Sequence, residues 1–324
     1  MARATIRDVA ALAGVSTATV SYVLNSSGSV STETADRVRA CVDELGYRAN
    51  NLAIAHRTGR SGTIGLAVRD LMNPFFPEFA QGVYSAAAAR GFSVFLLDSR
   101  GGEVDENEAL ERLADQVPEG LIWTPVVEDV ISNRGYSFPV VVYDRQIEGF
   151  DSVRPDVRAG GALQADLVVA SNHRRIGLLS GPEGSDTAEL RRSGFLSRLD
   201  GAAEVVWESR LPMSADIPSE IAKTILQSDV TCIVTATDIQ AIGVLRVLQS
   251  GGWEVPGRVS VIGFDDIELA SLVNPTLTTI RLSPRVLGAK ALDILVDRIE
   301  NPGGPVRRLS LDVEVVERES LRSV

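Results

Sequence analysis

Along residues 5–45 apolar side chains recur at helical spacing in short blocks separated by turn residues. Val9, Leu12, Val15, Val20, Val23 and Leu24 fall where the apolar seam between two crossed helices belongs. Thr5 with Asp8 three positions later fits an N-terminal capping box, and Ser16 fits the cap of a second helix. Gly14 stands between them, where a sharp turn wants a residue without a Cβ. That phasing leaves Thr17, Ala18, Ser21 and Tyr22 facing away from the seam. Ser31 caps a third helix running to about Leu45, with Ala35, Val38, Val42 and Leu45 inward, and Gly46-Tyr47 ends it. An exposed, uncharged, hydrogen-bonding face near a helix N-terminus suits the DNA major groove. The plainer alternative is an ordinary helical hairpin; the length of the pattern and its N-terminal position favour DNA.

Residues 47–61 read as a linker, with Asn50 and Asn51, a weak helical stretch from Leu52 to Arg57, and then T-G-R-S-G. From Thr63 the rhythm changes. T-I-G-L-A-V, F-S-V-F-L-L, G-L-I-W-T, V-V-V-Y, I-G-L-L-S, T-C-I-V-T-A and V-S-V-I-G-F are short apolar runs of strand character. Helical segments near 76–90, 105–116, 158–171, 186–199, 217–228, 238–250 and 284–300 alternate with them. Apolar strands alternating with helices predict parallel sheets covered on both faces.

In open parallel sheets ligands sit beyond the carboxyl ends of the strands. Asp70, Asn73 and Phe75 follow the first strand, and Tyr143-Asp144 ends V-V-V-Y. Arg191 lies beyond G-P-E-G-S, Asp238 follows T-C-I-V-T-A-T, and Phe264-Asp265 ends S-V-I-G-F. Carboxylates and a guanidinium suit polyhydroxy ligands through paired, directional hydrogen bonds. Phe75, Phe76, Tyr143 and Phe264 supply apolar walls. Asp238 and Asp266 read equally well as helix caps. Arg191 and Asp265 are expected to face each other across the cleft.

The net charge of −11 divides unevenly. Residues 1–60 hold seven arginines against five acids, a balance of +2, which leaves −13 for the remainder. A basic head on an acidic body orients the molecule toward phosphate. Cys41 and Cys232 have no metal-ligand spacing and read as reduced core thiols, so neither metal nor cofactor is expected. No apolar run reaches the roughly eighteen residues of a membrane span, and the start M-A-R-A-T-I-R-D is unlike a secretory signal. The expected location is the cytoplasm. His56 and His173 lie in different segments, and no G-x-S-x-G, Walker loop, G-x-G-x-x-G or H-E-x-x-H occurs, so no catalytic residue is assigned.

T-I-R-D-V-A-A-L-A-G-V-S-T-A-T-V-S-Y-V-L-N, then V-S-T-E-T-A-D-R-V, L-G-Y-R-A-N, S-V-I-G-F-D-D and N-P-T-L-T-T-I, in that order and spacing, resemble the LacI/GalR family of transcriptional regulators. The resemblance runs nearly end to end. It implies an all-α helix-turn-helix DNA-binding domain over 1–46 and a hinge helix and linker over 47–61. An α/β two-lobed, periplasmic-binding-protein-like domain with parallel sheets follows over 62–324. Lobe 1 is expected at about 62–156 and 284–310, lobe 2 at about 157–283 and 311–324, with crossings near 155–158, 281–284 and 310–316.

The resemblance further implies a homodimer on a palindromic operator, with affinity set by a small-molecule effector, a neutral carbohydrate by the chemistry above. Thr17, Ala18 and Tyr22 fall at base-reading positions and Ser16, Ser21 and Asn25 nearer the backbone, while Thr5 and Thr19 complete the DNA-binding set. Asn50, Ala53, His56 and Arg57 belong to the hinge, where relatives place a minor-groove leucine at the position of His56. Arg191 and Asp265 match effector-holding positions. Thr237 stands where relatives usually carry Asn, Met213 where many carry an aromatic, and Asn172 where glycine is common. A regulator controlled by a protein or a non-sugar metabolite, and a solute-binding protein, are the alternatives. The end at Val324 provides no tail for a tetramer bundle, so a dimer is expected.

Overall fold

In the computed structural model, residues 4–24, 30–47, 61–99, 103–125, 136 and 138–324 are described. The chain divides into two compact units, residues 1–61 and 62–324. The first holds α1 (Ile6–Ala13), α2 (Thr17–Leu24) and α3 (Thr32–Leu45). The Thr5 amide and hydroxyl both donate to Asp8 Oδ2, each at 2.8 Å. Such a cap contributes about 0.5–2 kcal/mol to helix stability. Ser16 Oγ accepts from the Thr19 amide at 3.0 Å and so caps α2. Gly14 takes φ 63°, ψ 35°, and its N–H returns to the end of α1, the left-handed cap that turns the chain toward α2.

The core of this unit is Val9, Ala10, Ala13, Val20, Val23, Val38 and Cys41. Leu12 and Leu24 are not in the seam: they are 47% and 36% exposed. Ala10 and Ala13 take the inner face of α1, so the stripe is phased one position away from the bulkiest apolar residue.

The second unit is α/β and two-lobed. Its first lobe holds β1 (Thr63–Val68), α4 (Phe75–Ala88), β2 (Ser93–Asp98), α5 (Glu103–Ala114), β3 (Gly120–Trp123), β4 (Val140–Tyr143) and β5 (Asp151–Pro155). The second holds α6 (Val157–Ala170), β6 (Arg175–Ser180), α7 (Asp186–Leu199), β7 (Glu204–Arg210), α8 (Ser219–Gln227), β8 (Cys232–Thr235), α9 (Asp238–Ser250) and β9 (Ser260–Ile262). After β10 (Thr279–Arg281), α10 (Pro284–Glu300) and β11 (Arg308–Leu311) return to the first lobe, and β12 (Glu314–Val316) leads back. The sheets run β11-β5-β4-β3-β1-β2 and β7-β6-β8-β9, all parallel, while β10 and β12 form an antiparallel pair.

Helices pack at backbone distance where glycine allows it. A Cβ on Gly161 would collide with the Arg191 carbonyl and one on Gly194 with that of Arg158, which seats α7 directly on α6. Gly82 and Gly288 do the same for α4 and α10. Strands β5, β7, β10, β11 and β12 were not singled out by apolar runs. β7 and β11 are edge strands with polar outer positions, and β5 buries Asp151 instead of an apolar residue. Arg298 donates to both Asp151 oxygens at 2.8 Å and the Arg307 amide to one at 2.7 Å, satisfying that carboxylate inside the sheet.

Candidate functional site

Between the two parallel sheets of the second unit lies a cleft open to solvent. Strand ends and helix starts of the first lobe supply Arg69, Asn73, Phe75, Phe76, Tyr143, Asp144 and Pro155. The second lobe supplies Val157, Thr187, Arg191, Met213, Thr237 and Asp265, with Leu282 from the crossing segment. Asn73, Phe75, Tyr143, Asp144, Arg191, Met213, Thr237 and Asp265 are thus brought together.

Asn73 Oδ1 accepts from the Phe75 amide at 3.1 Å, fixing the start of α4. That start presents an aromatic wall. Phe75 stacks on Tyr143 at 5.9 Å between centroids, Phe79 backs Tyr143 at 4.4 Å, and Phe76 meets Phe75 edge-on at 5.5 Å. Burial pushes the Tyr143 phenol well up, with Asp144 and Asp265 adding to it. Arg69 Nη2 donates to Asp144 Oδ2 at 2.7 Å. Arg69 was not anticipated: it sits one residue before Asp70, at the end of the apolar strand, and only the fold aims it at Asp144.

Arg191 and Asp265 do not face each other across the cleft; both belong to the second lobe, on α7 and just after β9. Nη2 of Arg191 is 4.0 Å from Asp265 Oδ1, an ion pair without a hydrogen bond. Arg191 is 5% exposed, yet its Nε and Nη1 have no hydrogen-bond partner. Its guanidinium lies 3.7 Å from the Phe264 ring centroid. Burial lowers the Arg191 pKa, opposed by Asp265 and then Asp144. Burial raises the Asp265 carboxyl to about 7, with Arg191 opposing and Asp144 adding.

Three residues expected in the site stand behind or beside it. Asp70 Oδ1 accepts from the Met72 amide at 2.8 Å and shapes a turn. Phe264 is fully buried and underlies Arg191 instead of forming a wall. Asp238 is fully buried and bonded to Thr279 Oγ1 at 2.6 Å and the Ile267 amide at 2.9 Å. Burial and then Asp265 push the Asp238 carboxyl well up, while those two hydrogen bonds pull it back. Thr237 lines the cleft, and its hydroxyl accepts from the Gln240 amide at 3.4 Å as the cap of α9. Thr187 and the apolar Val157, Pro155 and Leu282 were missed. Their hydropathy is ordinary, and only the meeting of two lobes gives them a shared ligand face.

In the first unit Thr5, Ser16, Thr17, Ala18 and Tyr22 are exposed, and Thr19 and Ser21 are half-buried. The Thr19 hydroxyl pairs with Ser16 Oγ at 2.9 Å. Asn25, Asn50, Ala53, His56 and Arg57 lie outside the described residues. Among the described residues no group of three His, Cys, Asp or Glu side chains is arranged to hold a metal ion. No helix among them is long and apolar enough to cross a membrane.

A helix-turn-helix unit joined to a two-lobed body with a polar cleft at its strand ends defines a ligand-responsive transcriptional regulator. Residues 5–50 match the model for bacterial regulatory proteins of the lacI family, and residues 165–321 match that for a periplasmic binding protein-like domain. The ribose operon repressor of Escherichia coli (strain K12) is 33% identical, over 98% of this chain and 99% of that one. The chain belongs to the LacI family. Among solved structures, the lac repressor dimer bound to operator and the anti-inducer ONPF superposes with a TM-score of 0.86. It is 28% identical, over 98% of this chain and 99% of that chain. A LacI family regulator from Enterococcus faecium with bound ribose gives 0.74 at 28% identity, over 81% and 99%.

Proposed function

We propose that this regulator is a homodimeric repressor whose operator affinity is controlled by a neutral carbohydrate bound between the two lobes. The observation that carries the ligand class is Arg191. A guanidinium that lines the cleft, 5% exposed and held by an ion pair of 4.0 Å without a hydrogen bond, keeps donor capacity for ligand oxygens, and Asp265 offers the matching acceptor. A hydroxyl, which both donates and accepts, fits between them. The charged lining groups are two guanidiniums, Arg69 and Arg191, and two carboxylates, Asp144 and Asp265. The carboxylates offset most of that positive charge, so a dianionic phosphate meets little excess of it. The aromatic wall is confined to the first lobe, so one ring face stacks while the second lobe grips hydroxyl edges. The bound ribose of the Enterococcus faecium relative supports this class.

Thr17, Ala18 and Tyr22 are assigned to base edges and Thr5, Ser16, Thr19 and Ser21 to the phosphate side, supported by the exposure of Thr5, Ser16, Thr17, Ala18 and Tyr22 and by the operator-bound lac repressor. The proposed boundaries are 1–46 for the DNA-binding domain, 47–61 for the hinge and 62–324 for the effector domain, supported by the break after residue 61. Dimerisation through the first lobe is supported by the open edge of β2 and by exposed Tyr84 and Leu96. Relatives that are repressors support a non-enzymatic role in the cytoplasm.

The test is a thermal-shift panel on the full chain with D-ribose, other neutral pentoses and hexoses, sugar phosphates and nucleobases, repeated on Arg191→Ala. A binder present at about 100 times its Kd stabilises by nearly 3 kcal/mol, a shift of several degrees. A neutral sugar that stabilises the wild type and not Arg191→Ala supports the reading. Stabilisation by phosphates alone, or indifference to Arg191, overturns it.

A further inference from the structure

Asp238 is fully buried and does not line the cleft, yet three connections converge on it. Its amide donates to the Phe264 carbonyl at 2.7 Å. Its Oδ2 accepts from the Ile267 amide at 2.9 Å, and its Oδ1 accepts from the Thr279 hydroxyl at 2.6 Å. Asp238 therefore holds both ends of the 264–267 loop that carries Asp265, and ties that loop to the first residue of β10. A Cβ at Gly263 would collide with Asp238 Oδ1, so the carboxylate fills the space that glycine leaves.

β10 is one of the segments that connect the lobes, and it is bound to the same loop at other points. The Asp265 amide donates to the Ile280 carbonyl at 2.8 Å, and the Leu282 amide returns to the Asp265 carbonyl at 3.3 Å. Asp265 is held at φ 115°, a strained conformation that persists only where surroundings impose it. The neighbouring Asp266 carboxylate accepts from Arg281 Nε and Arg318 Nη2, each at 2.6 Å, and Arg281 Nη1 donates to Glu314 on β12 at 2.7 Å. The loop beneath the cleft and the two crossing strands thus form one bonded assembly.

We propose that Asp238 is a positioning residue: through Thr279 it locks the Asp265 loop onto the crossing strand, so that Asp265 is pre-set for ligand and its occupancy is transmitted to the junction of the lobes. The ligand half rests on the effector reading above; the positioning half does not. An element shared by the pocket and the junction is what a coupling between sites needs.

The test compares full-length wild type, Thr279→Val, which keeps the shape and removes the hydroxyl, and Thr279→Ser, which restores it. Amide hydrogen exchange without ligand is the first readout. In Thr279→Val the amides of Asp265 and Leu282 should exchange about tenfold faster or more, those of Leu178 and Val234 within the second sheet should stay unchanged, and Thr279→Ser should return to wild type. Titration with D-ribose is the second: Thr279→Val should bind about tenfold more weakly, while its ligand-free operator affinity stays within about twofold of wild type. Unchanged exchange at Asp265 and Leu282, uniform acceleration throughout the lobe, or failure of serine to rescue overturns the proposal. Wild type indifferent to D-ribose counts against that sugar as effector, and the exchange result still decides the role of Asp238.

Discussion

The guanidinium of Arg191 sits over the ring of Phe264, its Cζ 3.7 Å from the centroid, and both residues are buried. The ring supports the cation from below without consuming a hydrogen-bond donor. Arg191→Lys replaces a planar fork with a point charge and should weaken the effector about tenfold or more. Phe264→Leu keeps the arginine but removes its support, and should weaken binding by about two- to thirtyfold through loss of a contact of about 0.5–2 kcal/mol. Calorimetric titration checks both; wild-type affinity in Phe264→Leu would dissociate the ring from the site.

Stability should depend on pH through Asp265. Burial first, with Asp144 adding and Arg191 opposing, raises this carboxyl from 3.8 to about 7 in the folded protein. The unfolded chain ionises near the lower value, so the folded state binds the extra proton between the two. The contribution is complete below about 3.8 and is lost as pH rises toward 7. The melting temperature of wild type relative to Asp265→Asn should therefore fall between about pH 4 and pH 7 and level off above that, as scanning calorimetry without ligand would show. A difference that stays constant with pH would remove Asp265 as the titrating group.

Tyr22 is half exposed on α2 and stands in the base-reading set. Tyr22→Arg introduces a fork that pairs with guanine O6 and N7. Selection from random DNA should yield a changed half-site for the variant, with discrimination of about 1–3 kcal/mol at one position. Equal strengthening on every operator would mean that residue 22 meets phosphate instead.

β2 is the open edge of the six-stranded sheet, and Leu96 on it and Tyr84 on α4 are 41% and 57% exposed. Leu96→Lys combined with Tyr84→Asp should give monomers in sedimentation velocity and a large loss of operator affinity, while the melting temperature moves little. A variant that stays dimeric would place the interface elsewhere.

Much of this molecule is legible in the sequence where local rules govern it. The caps at Thr5, Ser16 and Ser31, the left-handed turn at Gly14 and the buried central strands each follow from spacing and residue type within a few positions. The site is legible as an inventory of strand ends and less so as geometry. Arg191 and Asp265 come from the same lobe because α7 and the end of β9 meet there, a fact that no local spacing encodes. Arg69 gains its partner 75 residues away. Asp238 reads as a ligand group by position, yet its surroundings bury it beneath the loop that it braces. The edge strands β7 and β11 escape an apolar-run criterion because only one side of each is paired.

The first lobe is assembled from the two ends of its own domain. Its sheet begins with β1 at Thr63 and is completed by β11 at Arg308–Leu311, while α10 closes over α4 only through residues 284–300. During synthesis all four strands of the second lobe's sheet therefore leave the ribosome before the first lobe has its last helix. Until then α4 lacks the helix against which Gly82 packs, and its apolar side stays uncovered. Chains stalled before residue 284 should be the ones that chaperones hold and proteases remove.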